Sequence, residues 1–185
     1  QAKAIVEDAI DLAGIELRAG NRIHGAHGDK VHVNVTSYNR QVLLTGEVPS
    51  AEIRDAVEKT VAGVENVRSV VNDLAVMPSS SISQRSNDTF ITGKVRASLV
   101  DAKDLSANSF KVVTERNIVY LMGRVSQREA GRATAIARGV TGVSKVVRVF
   151  EYLSEEELAR LNAAKAPKPA NAANGEALET SRPAQ

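Results

Sequence analysis

Three histidines are the residues whose type and spacing first suggest chemistry. His24 and His27 stand three apart, as two imidazoles on one helical turn would, and His32 could add a distant third ligand of the kind zinc takes. No acidic partner that would orient the imidazoles is evident in the sequence, and Gly28 follows His27 where a helix should fray. The expectation is solvent-exposed histidines and no metal. Asp101 with Asp104, and the run Glu155-Glu156-Glu157, pair carboxylates on paper, but solvated helix ends account for both.

Other chemistries fail for want of residues. Cysteine is absent, which excludes thiol catalysis, disulfides and thiolate-bound metals within these residues. The serines cluster between Met77 and Ser86, with no Gly-x-Ser-x-Gly elbow and no glycine-rich loop leading to a lysine. No nucleophile and base can be assembled, so neither an enzyme nor a cofactor is expected. Three Phe and three Tyr, without interleaved basic residues, leave no platform for stacking single-stranded RNA. The net charge of +2, from 24 basic against 22 acidic residues, steers no polyanion, and nucleic acid is not an expected partner.

The elements that would position any site are written twice. Val35-Thr36-Ser37-Tyr38 and Leu43-Leu44-Thr45-Gly46-Glu47-Val48 return as Val112-Val113-Thr114-Glu115 and Tyr120-Leu121-Met122-Gly123-Arg124-Val125. Gly63-Val64-Glu65-Asn66-Val67 matches Gly142-Val143-Ser144-Lys145-Val146, which implies two extra residues near the opening of the second helix of repeat 2. Ile5 to Ile23 carries apolar residues three and four apart, the stripe of a helix. Val31, Val33 and Val35 alternate with polar residues as a strand, and Tyr38-Asn39-Arg40-Gln41 is a turn into a second strand, Val42 to Val48. Ser50 or Pro49 opens a second helix that stops at Gly63, and Val67 to Met77 supplies a third strand.

The predicted class is α+β: two tandem αββαβ units, each a three-stranded mixed sheet with two helices on one face. Their expected bounds are 1–77 and 87–153, joined by a Ser-rich linker at 78–86. Residues 154–185 should form a short helix through Leu158 and Leu161, then a disordered Pro- and Ala-rich tail. Gly46 and Gly123 fall in phase with the inward strand residues and are expected where a helix approaches the sheet closely.

A residue present in only one copy is not needed to build the unit. In the first helix of repeat 2, Ile91, Val95 and Leu99 match Ile15, Ala19 and Ile23, while Phe90 and Val100 replace Gly14 and His24. With Phe90 at zero, the core stripe lies at about 80° to 180°, Gly93, Ala97 and Val100 at about 280° to 340°, and Lys94 and Arg96 on either side. An apolar strip edged by cations suits the interface of an anionic bilayer. Packing of Phe90 and Val100 against repeat 1 or the linker is the other reading that the angles allow.

The segments Asn34-Val35-Thr36-Ser37-Tyr38, Val42-Leu43-Leu44-Thr45-Gly46, Ser86-Asn87-Asp88-Thr89-Phe90-Ile91-Thr92 and Val119-Tyr120-Leu121-Met122-Gly123-Arg124-Val125 are together similar to the BON domain. The duplication resembles the dual-BON outer-membrane lipoproteins. That resemblance implies a periplasmic protein, lipid-anchored to the inner leaflet of the outer membrane through a Cys preceding Gln1, which binds anionic phospholipid, phosphatidylglycerol in particular, and supports envelope integrity. It implies contact through Phe90, Lys94, Val95, Arg96, Ala97 and Val100. The alternative is an envelope scaffold, in which the same strip, or Leu43, Tyr120 and Met122 on exposed sheet faces, docks other envelope proteins.

Overall fold

The computed structural model describes residues 2–165, and side chains from 14 to 164. Unit 1 runs α1 (Ala2–His27), β1 (His32–Tyr38), β2 (Gln41–Val48), α2 (Ala51–Ala62), β3 (Ser69–Asn72) and β4 (Ala75–Val76). Unit 2 repeats it as α3 (Ile82–Asp101), β5 (Lys111–Glu115), β6 (Ile118–Val125), α4 (Gln127–Arg138) and β7 (Lys145–Tyr152), followed by α5 (Glu155–Lys165). The residues expected to be a disordered tail lie, beyond Lys165, outside the described part, as do the side chains of Ile5, Ala9 and Leu12.

In both units a two-residue turn with left-handed backbone sets the hairpin. Asn39 and Arg40 have φ of 49° and 63°, and Arg116 and Asn117 have 48° and 65°, the geometry whose twist matches that of paired strands. β2 pairs antiparallel with β1, from His32 opposite Glu47 to Tyr38 opposite Gln41, and parallel with β3 and β4. β6 pairs in the same way with β5 and β7. The third strand of unit 1 is interrupted because the Asn72 side chain accepts from the Leu74 N–H at 3.2 Å, forming a local turn in place of the ladder. Leu74 thereby enters the core and Asp73 is freed to face unit 2.

The caps and register correct the matching of the repeats. Ser50 and Ser126 cap α2 and α4, Gly63 and Gly139 end them, and Asn66 and Gly142 share positive φ. Val70 faces Val42 as Val146 faces Val119. Repeat 2 therefore has no insertion there, and lacks a counterpart of Pro49 instead. The Gly-Val pair occurs twice in Gly139-Val140-Thr141-Gly142-Val143, and the sequence match had settled on the second. The Ser-rich stretch is also shorter as a linker than expected: Ser81 accepts from the Gln84 N–H at 3.0 Å, so α3 begins at Ile82.

Each sheet buries apolar residues on both faces. Val42, Leu44 and Val48 pack under α1 and α2 with Ile15, Ala19, Ile23, Val57 and Val61, and the equivalent residues of β6 pack under α3 and α4. The alternate residues Leu43, Tyr120 and Met122 form a third core with Val149, sheet against sheet. They were expected on exposed sheet faces and are instead fully buried, which gives the molecule four layers, helix, sheet, sheet, helix. The glycine expectation also changes. A Cβ on Gly46 or Gly123 would collide with the backbone carbonyl of His32 or Ser109, so what approaches closely is the neighbouring chain before or within the hairpin strand, not a helix.

The Tyr120 hydroxyl donates to Asp73 at 2.6 Å across the sheet interface. Burial and that carboxylate both push its pKa up. Tyr120→Phe is expected to lower stability by about 1 kcal/mol in denaturant melts, since it removes one hydrogen bond to an exposed carboxylate that water can then solvate, while keeping the ring's packing.

Candidate membrane-contact face

α3 is held from its inner side. Ile91, Val95 and Leu99 are buried in the unit 2 core. Asp88, also buried, accepts the backbone N–H groups of Arg116 and Asn117 at 2.9 and 3.0 Å, clipping the helix to the β5–β6 turn. The Thr92 and Thr114 hydroxyls meet at 2.7 Å. These contacts fix the rotation of the helix and hence what it turns outward.

Phe90 is 65% exposed and Val100 68%, with Gly93 and Ala97 exposed between them. The ring is not packed against unit 1 or the linker. Ile82, 83% exposed, lies at about the same helical angle as Val100 and extends the strip by two turns. It was missed because the Ser-rich stretch read as linker; the angle alone would have found it once the helix start was known. Val95 must be removed from the face, since it lies at the core angle and has no exposed surface. Lys94 donates to the Thr141 carbonyl at 2.6 Å and its ammonium stands 4.9 Å from the Phe90 ring centroid. Arg96 is exposed and forms no ion pair among the described residues, and Arg85 likewise edges the strip on the same side.

A second cluster, illegible in the sequence, lies between the units. His32 Nδ1 is 3.1 Å from Glu47, which also accepts the Ser80 N–H and pairs with Arg116. Arg116 Nη1 also donates to the Gly46 carbonyl at 3.2 Å. Glu115 accepts from Asn34 and, at 3.1 Å, from Thr45. Ligand atoms of His32, Glu47 and Glu115 fall within 4.8 Å of one another, as around a metal, but Arg116 already supplies the positive charge that Glu47 needs. His24 and His27 do not join them, and the His32 side chain, expected in solvent, is only 13% exposed because it lies in this interface.

Burial pushes the Glu47 carboxyl up, but hydrogen bonds from Ser80 and His32 outweigh it and hold the group below the ordinary range. Burial dominates at Glu115 and raises it, against the hydrogen bond from Asn34. A raised carboxyl favours its neutral form in the folded state, so its contribution is intact below the unfolded pKa and is lost as pH rises through the folded one. Glu115→Gln keeps the acceptor oxygen and stays neutral. Thermal melts across pH should show the variant matching the parent in acid and gaining on it as pH climbs above the ordinary carboxylate range.

The fold is thus a face-to-face pair of αββαβ units whose unlike helix, α3, carries an exposed apolar strip. Residues 11–78 and 87–154 each match the BON domain, and the chain belongs to the BON-domain family. It is 40% identical over 121 residues to the outer membrane lipoprotein DolP of Haemophilus influenzae, covering 65% of this chain and 63% of that one. It is 32% identical over 125 residues to a 21 kDa hemolysin of Actinobacillus pleuropneumoniae, covering 68% and 64%. It is also 32% identical over 117 residues to the osmotically inducible protein Y of Escherichia coli, covering 62% and 58%. The matched stretch spans less than two thirds of the length of each of these relatives.

Proposed function

We propose that this protein works in the bacterial envelope, in the periplasm, by binding anionic phospholipid through the outward strip of α3, with phosphatidylglycerol the favoured lipid and outer-membrane integrity the purpose. The observation that carries the reading is the exposure of Phe90 in line with Ile82 and Val100, beside Arg85 and Arg96 that have no acidic partner among the described residues. The kinship with a protein named as an outer membrane lipoprotein supports the compartment.

Burying the three apolar side chains contributes about 1.5–3 kcal/mol each, and each arginine near a negative surface about 1 kcal/mol, before the cost of association. Binding of that strength is reversible. No described helix is long and apolar enough to cross a membrane. Lasting attachment needs a second anchor, a role we assign to a lipidated Cys ahead of Gln1.

Vesicle co-sedimentation tests the proposal. The chain should pellet with phosphatidylglycerol vesicles, weakly or not at all with phosphatidylcholine, and less as salt rises. Failure to bind protein-free anionic vesicles would favour the scaffold reading, in which the strip meets another protein.

A further inference from the structure

Along the arginine flank of the strip, between the two units, lies a polar cleft of about 420 Å³. α3 lines it with Arg85, Thr89 and Thr92, β1 with Asn34 and Thr36, and β5 with Thr114. Its two carboxylates are already engaged: Asp88 accepts the Arg116 and Asn117 N–H groups, and Glu115 accepts from Asn34 and Thr45. The nearby imidazole of His32 is turned to Glu47. Both carboxylates and the imidazole are thus held by groups of the fold itself.

An anion and its hydroxyls are better served. The Arg85 guanidinium touches only the Ser80 hydroxyl, at 3.4 Å through Nε, so its terminal nitrogens have no partner among the described residues. A guanidinium fork matches the oxygens of a phosphate. The Thr89 hydroxyl donates to the Arg85 carbonyl at 3.1 Å, Thr92 and Thr114 share one hydrogen bond, and the Thr36 hydroxyl has no partner among the described residues. Each threonine oxygen therefore keeps acceptor capacity, and together they form a row suited to the hydroxyls of a polyol. From Arg85 to Thr92 is two turns, about 10 Å along the helix axis.

We propose that this interdomain cleft is a headgroup site, which takes a phosphodiester on Arg85 and the free glycerol hydroxyls esterified to it on Thr36, Thr92 and Thr114. The inference rests on the membrane reading above and deepens it: the strip supplies attachment, and the cleft selects among anionic lipids. Arg85 and Thr92 lie at about 220° and 200° on α3, next to the angle of Ile82 and Val100, so a lipid lying along the strip brings its headgroup to the cleft mouth.

The test uses the full chain and two lipids of equal charge, phosphatidylglycerol and phosphatidylmethanol, which share the phosphodiester but differ in the diol. Vesicles of each in phosphatidylcholine, at the same mole fraction, should give about tenfold tighter binding to phosphatidylglycerol. Thr92→Val should bring that preference close to unity, with a small drop in melting temperature for the lost hydrogen bond to Thr114 and vesicle binding through the strip retained, and Arg85→Gln should weaken binding to both. Soluble glycerophosphoglycerol should shift the amide resonances of Asn34, Thr36 and Thr92, and should still do so in Phe90→Glu. Equal affinity of the parent for the two lipids, a preference that survives in Thr92→Val, or silent cleft resonances would overturn the site. Failure of the strip reading is separate, and shows as retained vesicle binding in Phe90→Glu.

Discussion

Phe90→Glu eliminates binding to phosphatidylglycerol vesicles and leaves the thermal melt within about 0.5 kcal/mol of the parent. Two effects combine in the loss of binding. The variant forfeits about 1.5–3 kcal/mol from the largest side chain of the strip, and it places a carboxylate against an anionic surface. Folding is spared because the ring is 65% exposed. The contact given up, Lys94 over the ring at 4.9 Å, is replaced by a glutamate four residues ahead of that lysine, the favourable order for an ion pair on a helix. Leu17→Glu is the control, since Leu17 is an equally exposed apolar residue on α1 and no other large apolar side chain is exposed among the described residues of that helix. Co-sedimentation unaffected by Phe90→Glu, or abolished equally by Leu17→Glu, would show that the contact lies elsewhere.

Arg116→Ala destabilises the chain by about 3–5 kcal/mol, the largest effect expected of a single substitution here. Glu47 has no exposed surface, and Arg116 is the permanent positive charge paired with it across the unit boundary. Removing the guanidinium leaves a buried carboxylate with His32 and the Ser80 N–H, and strips the Gly46 carbonyl of a donor. The turn itself contributes nothing to the difference, because arginine and alanine carry the same Cβ into the left-handed backbone at φ 48°. Adding Glu47→Gln to Arg116→Ala should recover much of the loss, as a neutral pair leaves no stranded charge. Denaturant midpoints of the single and double variants measure the coupling; purely additive losses would mean that the pair does not bind the units together.

Particular elements show how far the sequence could be read. The stripe of Ile91, Val95 and Leu99 lies where 100° per residue puts it, and that periodicity turned Phe90 and Val100 away from their own core, while only the packed structure left them in solvent. The hairpins followed from period two and from asparagine in a turn. The matching of the third strands failed because a Gly-Val pair repeats three residues later, and only hydrogen-bond register distinguishes the two copies. Ile82 was hidden by serines, which signal a linker and a helix cap with the same side chain. Val95 was carried into the face by likeness to other proteins, although its own helical angle pointed to the core.

Local periodicity, caps and the duplication were enough to determine two αββαβ units and one helix unlike its sister, because such patterns depend on neighbours a few residues apart. Which sheet face was free, which charges met and where a cleft opened were decided only when the units packed together. Leu43 and Tyr120 alternate just as solvent-facing strand residues do, and nothing in the spacing of His32, Glu47, Glu115 and Arg116 announces that they share a boundary. Contacts between residues some seventy positions apart are chosen by the docking of whole surfaces, and that choice leaves no period in the chain.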